Sequence, residues 1–317
     1  MSSDANYKLS AEQIEHFMKR GFVRIPDCFS REKAAEWTAD VWSRLGFSPS
    51  DKTTWVTECT HMPEHKEEPW KSFAPKAWAA ICELLGGEAR VAEDSATVND
   101  AFIVNLGTPE TVGKKVEPEH LKGWHVDGDD FVHFLDSPEQ ALLVIPLFSD
   151  IQRYSGATAV CTDAMKDIAR HLRNHPQGVS PYMVPRGRVQ KYMFRRKFKP
   201  GFYEQVIGNC DEFYEMTGSV GDVILVHPLM AHSQGVNSLR LPRIITNASV
   251  SLKEPFNFNR EDPSRYSIVE RKTLQVLGKD GLPGWKIKGP REAFVPERVN
   301  IHARMKQEEL KRLGGGN

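Results

Sequence analysis

Apolar residues recur at helical spacing in the N-terminal part of the chain. Ser10 and Gln13 have the arrangement of a helix N-cap with its reciprocal partner, and the helical period continues as far as Gly21. Residues 22 to 25 predict a short strand, and residues 30 to 45 predict a second helix that begins at a capping serine. The chain therefore opens with a predicted helix, strand and longer helix.

Beyond this point, polar residues and prolines interrupt the pattern before strand-like runs begin. Residues 46 to 70 predict a loop, and residues 78 to 85 predict a helix that Gly86 ends. From about residue 91, short apolar runs predict strands. The predicted strands cover residues 101–104, 124–134, 141–148, 156–161, 222–228 and 243–250.

Further helices are predicted within and after this strand-rich part. They cover residues 164–174, 263–278 and 296–313, and residues 175–210 form an insertion between strands. At this length we expect one domain over residues 1–317. Its expected parts are a helical part at about 9–90, a strand-rich core at about 91–252 and a helical extension at 253–317.

Charge and cysteine usage narrow the classes of function. Lys plus Arg and Asp plus Glu each number 42, so a net charge of zero gives no reason to expect nucleic acid or membrane as a partner. The 5 cysteines are scattered without CxxC spacing, which favours a reducing compartment over a disulfide scaffold. Without an apolar leader or a run of about 20 apolar residues, we expect a cytoplasmic protein.

Three widely spaced side chains have the character of metal ligands. His125 and Asp127 are separated by one residue, so on an extended strand both side chains point to the same side. His232 follows the predicted strand at 222–228 and is expected to supply the third ligand, although His227 competes for that role. Two imidazoles and one carboxylate on one face of an ion form the ligand set of non-haem iron(II) oxygenases.

Arg243 follows His232 by 11 residues. Arg243 begins the β-rich segment at 243–250, so we expect it near His232 on an adjacent antiparallel strand. A guanidinium there is suited to holding a carboxylate through two parallel hydrogen bonds. Arg240 is a nearer alternative, and an ordinary surface salt bridge is the simpler role for Arg243.

These residues together resemble the phytanoyl-CoA dioxygenase family of iron(II) and 2-oxoglutarate dependent dioxygenases. The resemblance extends from about residue 9 to about residue 250. It is carried by Trp124-His125-Val126-Asp127, by Ser155-Gly156-Ala157-Thr158, and by Gly221-Asp222 leading to His232, Asn237 and Arg243. The residues from Leu9 to Phe17 and from Gly21 to Pro26 also resemble the usual start of the family.

The resemblance implies a fold and a set of cofactors. The fold is mainly β with flanking helices, built on a double-stranded β-helix, also called a jelly roll or cupin-like fold. The implied cofactors are Fe(II), held by His125, Asp127 and His232, with 2-oxoglutarate as cosubstrate and O2 as oxidant. Arg243 is the implied partner of the distal carboxylate of 2-oxoglutarate.

Two further residues have a less specific place in the resemblance. Thr158 matches a threonine whose hydroxyl donates to 2-oxoglutarate, although a plain strand threonine is an equal alternative. Lys122 stands where many members have glutamine, so this chain departs from the family in part of its cosubstrate contact. The chain also ends in Gly314-Gly-Gly-Asn317 and not in a peroxisomal signal of the Ser-Lys-Leu type, so a peroxisomal role is not expected.

The resemblance also bears on the reaction. Halogenating relatives replace the ligand carboxylate by a small residue, so Asp127 favours hydroxylation or a related oxidation, including desaturation or ring formation, with release of succinate and CO2. A zinc hydrolase, with a metal-bound water as nucleophile, is one alternative. A catalytically silent binding protein is another.

A basic and aromatic segment bears on the substrate. Residues 186–199 contain Arg, Lys, Tyr and Phe in close succession, which suits a small substrate that is aromatic or anionic. A solvated insertion is the simpler interpretation of the same segment. The sequence does not define the oligomeric state.

Overall fold

The structure is a computed structural model that describes residues 6–187 and 201–314. Nine α-helices lie in this part of the chain. They are α1 (Ala11–Arg20), α2 (Arg31–Trp37), α3 (Val41–Leu45), α4 (Trp70–Phe73), α5 (Pro75–Leu85), α6 (Ala164–Asn174), α7 (Phe202–Ile207), α8 (Ile268–Leu277) and α9 (Glu297–Gly314). Helix α8 packs against α1, α5 and α6.

The strands of the same residues are short and pair only in antiparallel fashion. They are β1 (Phe22–Ile25), β2 (Cys59–His61), β3 (Glu67–Pro69), β4 (Thr97–Asn99), β5 (Ile103–Asn105), β6 (Leu142–Pro146), β7 (Thr158–Cys161), β8 (Phe213–Glu215), β9 (Val223–Val226), β10 (Ala231–Gln234), β11 (Arg243–Ile245) and β12 (Ala248–Val250). A four-stranded sheet has the order β1-β9-β6-β12, two three-stranded sheets have the orders β10-β7-β8 and β11-β5-β2, and β3 pairs with β4.

The four-stranded sheet lies in the centre of the apolar core. Every residue of β6 and β9 is buried, and their sequences, Leu-Leu-Val-Ile-Pro and Val-Ile-Leu-Val, are apolar at each position. A strand with both faces covered has no polar face, which explains why these two runs show no alternation. The pattern predicted at 141–148 and 222–228 is confirmed as strands, with narrower bounds.

Several predicted boundaries are confirmed because local chemistry determines them. Ser10 caps α1 through a complete capping box with Gln13, and the helix ends at Gly21 in the left-handed conformation. Helix α5 ends at Gly86, also left-handed, as the glycine there predicts. The helix predicted at 164–174 is α6, with the same bounds.

Other predictions for the N-terminal part were wrong. The helix predicted at 30–45 is two helices, because the Thr38 hydroxyl donates to the Ala34 carbonyl at 2.8 Å and the chain turns before α3. The predicted loop at 46–70 contains β2 and β3. Strand β2 pairs with β5, a partner distant in sequence that a local pattern does not indicate.

The predicted strand at 124–134 is also wrong. These residues make single antiparallel bridges to three different segments, at His125, Phe131 and His133, and so form no continuous ladder. Likewise His232 and Arg243 are not on adjacent strands: β10 belongs to one three-stranded sheet and β11 to the other.

The described chain is therefore a mixture of helices and small antiparallel sheets, less dominated by strands than expected. The double-stranded β-helix itself stays a prediction. None of the described helices has both the length and the apolar character that crossing a bilayer requires.

A buried group of charges attaches the C-terminal helix to the rest of the fold. The Arg44 side chain is fully buried and donates to Asp100 Oδ2 at 2.7 Å and to Glu309 Oε2 at 2.8 Å. It also donates to the Pro63 carbonyl at 2.6 Å, and His65 Nε2 lies 2.8 Å from the same Glu309 oxygen. Glu309 is the buried residue of α9, so this helix is attached through charge and not through an apolar face.

Arg44→Met is expected to lower the free energy of unfolding by about 3–5 kcal/mol, because it leaves two buried carboxylates without their cation. Denaturant unfolding measures this change. Arg31→Met is the matched control: Arg31 forms an ion pair with Asp150 at 2.7 Å, but both side chains are more than half exposed, so little or no change is expected. Equal effects of the two substitutions would contradict the role given to the buried group.

Candidate metal centre

Two backbone hydrogen bonds bring the separate parts of the centre together. The His125 N–H donates to the His232 carbonyl at 3.0 Å, and the His232 N–H donates to the His125 carbonyl at 2.9 Å. His232 lies on β10, which pairs with β7, so the sheet holds one histidine and the bridge holds the other against it. The two imidazole rings lie 4.4 Å apart, centre to centre.

Asp127 completes a cluster with these two histidines. Its Oδ1 lies 3.4 Å from His125 Nε2 and 3.3 Å from His232 Nε2. Ligands at about 2.1 Å from one ion and at right angles to each other lie about 3 Å apart. Ligand atoms of all three residues lie within 4.8 Å of one another, so the spacing fits a single ion.

The imidazoles are oriented in the way that metal-binding histidines require. His125 Nδ1 lies 2.8 Å from the Gly123 carbonyl and His232 Nδ1 lies 3.1 Å from the Met230 carbonyl, so each Nδ1–H has an acceptor. Each Nε2 then carries the lone pair that binds a metal. Among the described residues, His232 Nε2 is buried and has no hydrogen-bond partner. A bound cation would remove the free-energy cost of burying this nitrogen unpaired.

The charges in the cluster support one another. Burial alone would raise the pKa of Asp127, but the nearby imidazoles of His232 and His125 hold that pKa well below its usual range. Burial alone would lower the pKa of His125, but the nearby carboxylate of Asp127 outweighs this effect and the pKa is raised. Asp127 is therefore a carboxylate anion at neutral pH.

The cluster is open on one side. The His125 side chain is 47% exposed, Asp127 is 24% exposed and His232 is 4% exposed. An ion held by these three atoms would have the protein behind it at His232 and solvent near His125. Such an arrangement leaves coordination positions for other ligands.

Arg243 is buried, and among the described residues it has no carboxylate partner. Its Nε donates to the Gly156 carbonyl at 2.7 Å and one terminal nitrogen donates to the Ile103 carbonyl at 3.3 Å. Burial lowers the pKa of this guanidinium, although the normal value is so high that it stays charged. A buried cation that has only neutral acceptors is suited to an anionic ligand.

The alternative arginine is engaged elsewhere. One terminal nitrogen of Arg240 donates to the Lys52 carbonyl at 3.1 Å, and its guanidinium lies over the ring of Trp55 at 5.3 Å. Its backbone has a positive φ of 46°, an uncommon conformation for a residue with a side chain. Arg240 thus belongs to a separate buried cluster around Trp55.

Thr158 and Lys122 differ in their position relative to the cluster. Thr158 is buried on β7, and the register of β7 with β10 places it on the same face of the sheet as His232. Lys122 has an exposed side chain, and its carbonyl accepts a hydrogen bond from Ser233 Oγ at 2.7 Å. Lys122 therefore contributes to the site through its backbone, by holding the segment before His125 against β10.

His227, the competitor for the third ligand position, lies in a different environment. Its Nε2 is 3.0 Å from Thr273 Oγ1, and its Nδ1 accepts from the Leu229 N–H at 3.1 Å. Both nitrogens therefore have protein partners. Burial, with a contribution from the charge of Lys272, lowers the pKa of His227 to about 3.

The neutral state of His227 predicts a pH dependence of stability. An unfolded histidine takes up a proton below about pH 6.5, whereas folded His227 does so only near its pKa of about 3. The unfolded state binds more protons between these values, so the free energy of unfolding falls as the pH falls, by at most about 1.4 kcal/mol per pH unit from this residue.

His227→Gln is expected to make this fall shallower, because the titrating group is removed while an amide can still donate to Thr273. Denaturant unfolding over a series of pH values measures it, with His120→Gln as the control at an exposed histidine. The same slope in the wild-type protein and in His227→Gln would contradict a buried neutral His227.

Tyr203 and His133, which the sequence did not indicate, support the backbone of the cluster. The Tyr203 hydroxyl accepts a hydrogen bond at 3.2 Å from the N–H of Val126, the residue between the candidate ligands His125 and Asp127. His133 Nε2 lies 2.6 Å from the carbonyl of Gly128, directly after Asp127, and burial lowers the His133 pKa to about 4, so the ring is a neutral donor. The sequence feature that indicates a turn after Asp127 is Gly128, which lies between two acidic residues. Its φ is 109°, in the region that favours glycine.

The C-terminal segment lies along the residues that follow Asp127. Phe131 forms an antiparallel bridge with Ala293, and the Val132 N–H donates to the Glu292 carbonyl at 2.9 Å. Arg298 on α9 donates to Asp129 at 2.8 Å. The C-terminal extension is thus part of the support of the candidate centre, which its distance in sequence did not indicate.

Comparisons with known proteins give weak structural similarity only. The non-heme alpha ketoglutarate dependent carbocyclase SnoK from nogalamycin biosynthesis is 15% identical, with 79% of this chain and 86% of that chain covered and a TM-score of 0.42. HygX from Streptomyces hygroscopicus, solved with nickel and 2-oxoglutarate bound, is 10% identical over 77% and 88%, with a TM-score of 0.40. AviO1 from Streptomyces viridochromogenes Tue57 is 14% identical over 77% and 96%, also with a TM-score of 0.40.

Similarity this weak does not carry a fold or a function from those proteins to this chain. No protein-family model matches the sequence, and no curated protein matches it. The resemblance to the phytanoyl-CoA dioxygenase family therefore rests on the motif residues alone.

Proposed function

We propose that this protein is an Fe(II)- and 2-oxoglutarate-dependent dioxygenase that oxidises a small organic molecule. The observation that carries the proposal is the presence of a His-Asp-His cluster together with a buried arginine, Arg243, that has no carboxylate partner among the described residues. A metal site alone suits several reactions. The buried cation adds a reason to expect a dicarboxylate cosubstrate.

In this proposal, each residue of the centre has a separate task. His125, Asp127 and His232 would hold Fe(II), with Asp127 as the anionic ligand. When bound, iron of this kind supplies the oxidation of a substrate C–H bond by O2, coupled to conversion of 2-oxoglutarate into succinate and CO2. The full carboxylate at Asp127 favours hydroxylation or a related oxidation over halogenation.

Arg243 and Thr158 are proposed to hold the cosubstrate. A guanidinium binds a carboxylate most strongly where water is excluded, and Arg243 is 2% exposed. Thr158 shares the sheet face of His232 and is proposed to donate its hydroxyl to the same molecule. Lys122 is proposed to contribute only the backbone contact with Ser233.

We further propose that the small sheets are parts of a double-stranded β-helix. Supporting this, β10 and β11, which carry His232 and Arg243, are in separate three-stranded sheets while both follow the central strand β9 in sequence. Two sheets that each contribute to one site are what a jelly roll provides.

Anaerobic titration of Fe(II) into the protein with 2-oxoglutarate tests the assignment through the visible charge-transfer absorption of the chelate. The absorption is expected to require Asp127 and to be absent in Asp127→Ala. Arg243→Ala is expected to raise the dissociation constant of 2-oxoglutarate about 10- to 100-fold, since a charge-assisted hydrogen bond is worth about 1.5–3 kcal/mol. Arg243→Lys keeps the charge but loses the planar fork, so an intermediate value is expected.

Arg240→Met is the matched control and is expected to leave 2-oxoglutarate binding unchanged. Oxygen is then admitted and succinate is measured, with circular dichroism to show that each variant is folded. Metal binding without the absorption, in a folded protein that hydrolyses esters without oxygen, would favour the zinc hydrolase. Bound metal with neither activity would favour the silent binding protein.

The substrate is proposed to be a small aromatic or anionic molecule, on the strength of the basic segment at 186–199. Except for Arg186 and Gly187, this segment lies outside the described residues. Arg186 forms an ion pair with Glu292 at 3.0 Å. No nucleic-acid or membrane partner is proposed, and a cytoplasmic location is proposed on the sequence features alone.

Stimulation of succinate release by a panel of aromatic acids and phosphates, against unbranched alkanes, tests the substrate class. Neutralising Arg195 and Arg196 with glutamine is expected to raise the half-maximal concentration of an active acid several-fold, with unchanged iron content. Arg170→Gln, an exposed arginine on α6, is the control. An unchanged half-maximal concentration would remove the basic segment from the substrate site.

A further inference from the structure

A second group of metal-binding atoms lies away from the His-Asp-His cluster. It consists of Cys161 at the end of β7, Asp163 directly before α6, and Cys210 between α7 and β8. Their two sulfur atoms and a carboxylate oxygen lie within 4.8 Å of one another. Cys161 and Cys210 are far apart in sequence and have no CxxC spacing, so the sequence alone does not indicate a shared site.

Hydrogen bonds already organise the group. Cys161 Sγ donates to Asp163 Oδ1 at 3.2 Å, and Asp163 Oδ2 accepts from the Asp211 N–H at 2.9 Å. Cys210 Sγ donates to the Val206 carbonyl at 3.2 Å. The carboxylate thus has one oxygen committed to the backbone and the other directed at the sulfur atoms, which orients it as an outer hydrogen bond orients a metal ligand.

The backbone around the group is held by β-pairing. Cys161 pairs with Phe213 across β7 and β8, and the Thr162 N–H donates to the Glu212 carbonyl at 3.0 Å. Three ligand-bearing segments are therefore fixed relative to one another. A preformed arrangement reduces the ordering cost of binding an ion.

The group lies on the opposite face of the sheet from the iron-binding histidine. In the register of β7 with β10, His232 pairs with Val160 and Ala231 pairs with Cys161. Side chains alternate between faces along a strand, so Cys161 and His232 point to different sides. Ligands of one group cannot serve the other.

We propose that Cys161, Asp163 and Cys210 form a binding site for a thiophilic divalent cation, with Zn²⁺ as the preferred ion and water as the fourth ligand. Two thiolates and one carboxylate are ligands that zinc takes in proteins, and thiolates select it over calcium or magnesium. On binding, the two S–H protons pass to solvent and two sulfur–metal bonds form, with no change of oxidation state.

An entry path for the ion is present. Cys210 and Asp211 line a groove of about 760 Å³ together with Phe213, and Cys210 is only partly buried. Cys161 lies behind it, fully buried. An ion would enter from the groove past Cys210, and the groove side is where the fourth ligand would be water.

A redox disulfide between the two cysteines fits the same site less well. In the reduced protein both thiols are already engaged as hydrogen-bond donors, Cys161 to Asp163 and Cys210 to the Val206 carbonyl. A disulfide would remove both donors and leave the Asp163 oxygen that faces the sulfur atoms without a partner from Cys161, whereas a cation would be bound by that oxygen and by both sulfur atoms.

The role of the ion would be structural. It would connect the end of β7 to the residues that follow α7, on either side of the insertion at 175–210. Ion binding to the folded state alone stabilises it, so zinc is expected to raise the melting temperature of the reduced protein.

Titration with Co²⁺ under reducing and anaerobic conditions tests this site separately from the iron site. Thiolate-bound cobalt has an intense near-ultraviolet charge-transfer absorption, whereas cobalt bound by histidine and aspartate has none. We expect one equivalent of such absorption, displaced by Zn²⁺. It is expected to be lost in Cys210→Ser and Cys161→Ser and to persist in His232→Ala, while Asp163→Asn weakens cobalt binding at least tenfold.

Cys82→Ser is the matched control, since Cys82 is a partly buried thiol on α5 that, among the described residues, belongs to no group of three metal-binding side chains. If Cys161→Ser does not fold, the half-buried Cys210→Ser variant decides the question, with the zinc-dependent rise in melting temperature as the second measurement. The proposal would be overturned if wild-type protein with all its thiols reduced lacked this absorption. It would also be overturned if Cys210→Ser retained the absorption. Neither result depends on dioxygenase activity.

Discussion

The pair of backbone hydrogen bonds between His125 and His232 is the contact on which the candidate centre depends. It joins a segment without regular structure to a strand held by β7 on its other edge. Because both imidazoles also bond through Nδ1 to carbonyls within two residues, their orientation follows from the backbone and needs few further contacts. The backbone pair therefore sets the positions of the two imidazoles, and Asp127 completes the cluster from the following turn.

Two buried arginines show opposite solutions to the cost of burying a cation. Arg44 has two carboxylates and a carbonyl as partners, and it connects α3 to the C-terminal helix. Arg243 has two carbonyls and, among the described residues, no anion. Burying an ion costs several kcal/mol when its charge is not matched. Under the proposed function, the cosubstrate supplies the missing charge, so binding removes a cost that folding leaves in place.

The sequence predicted the features that depend on neighbouring residues. It did not predict those that depend on residues far apart in the chain. The ends of α1 and α5 depend on Ser10 and Gly86 and their neighbours, so local chemistry predicts them. The three residues of the cluster were recognised by spacing and resemblance, and the structure brings them together. The support from Tyr203 and the separation of β10 from β11 depend on long-range pairing, which no local pattern records.

The pairing of Phe131 with Ala293 has a consequence for how the chain matures on the ribosome. A chain is made from its N-terminus at about 5–20 residues per second, and early parts begin to fold before late parts exist. The candidate ligands His125, Asp127 and His232 are all synthesised before the segment at 291–298 that contacts the turn beside them. The nascent protein therefore contains the whole His-Asp-His cluster before it contains the segment that supports it, and the cluster becomes fully supported only after residue 298 has been made.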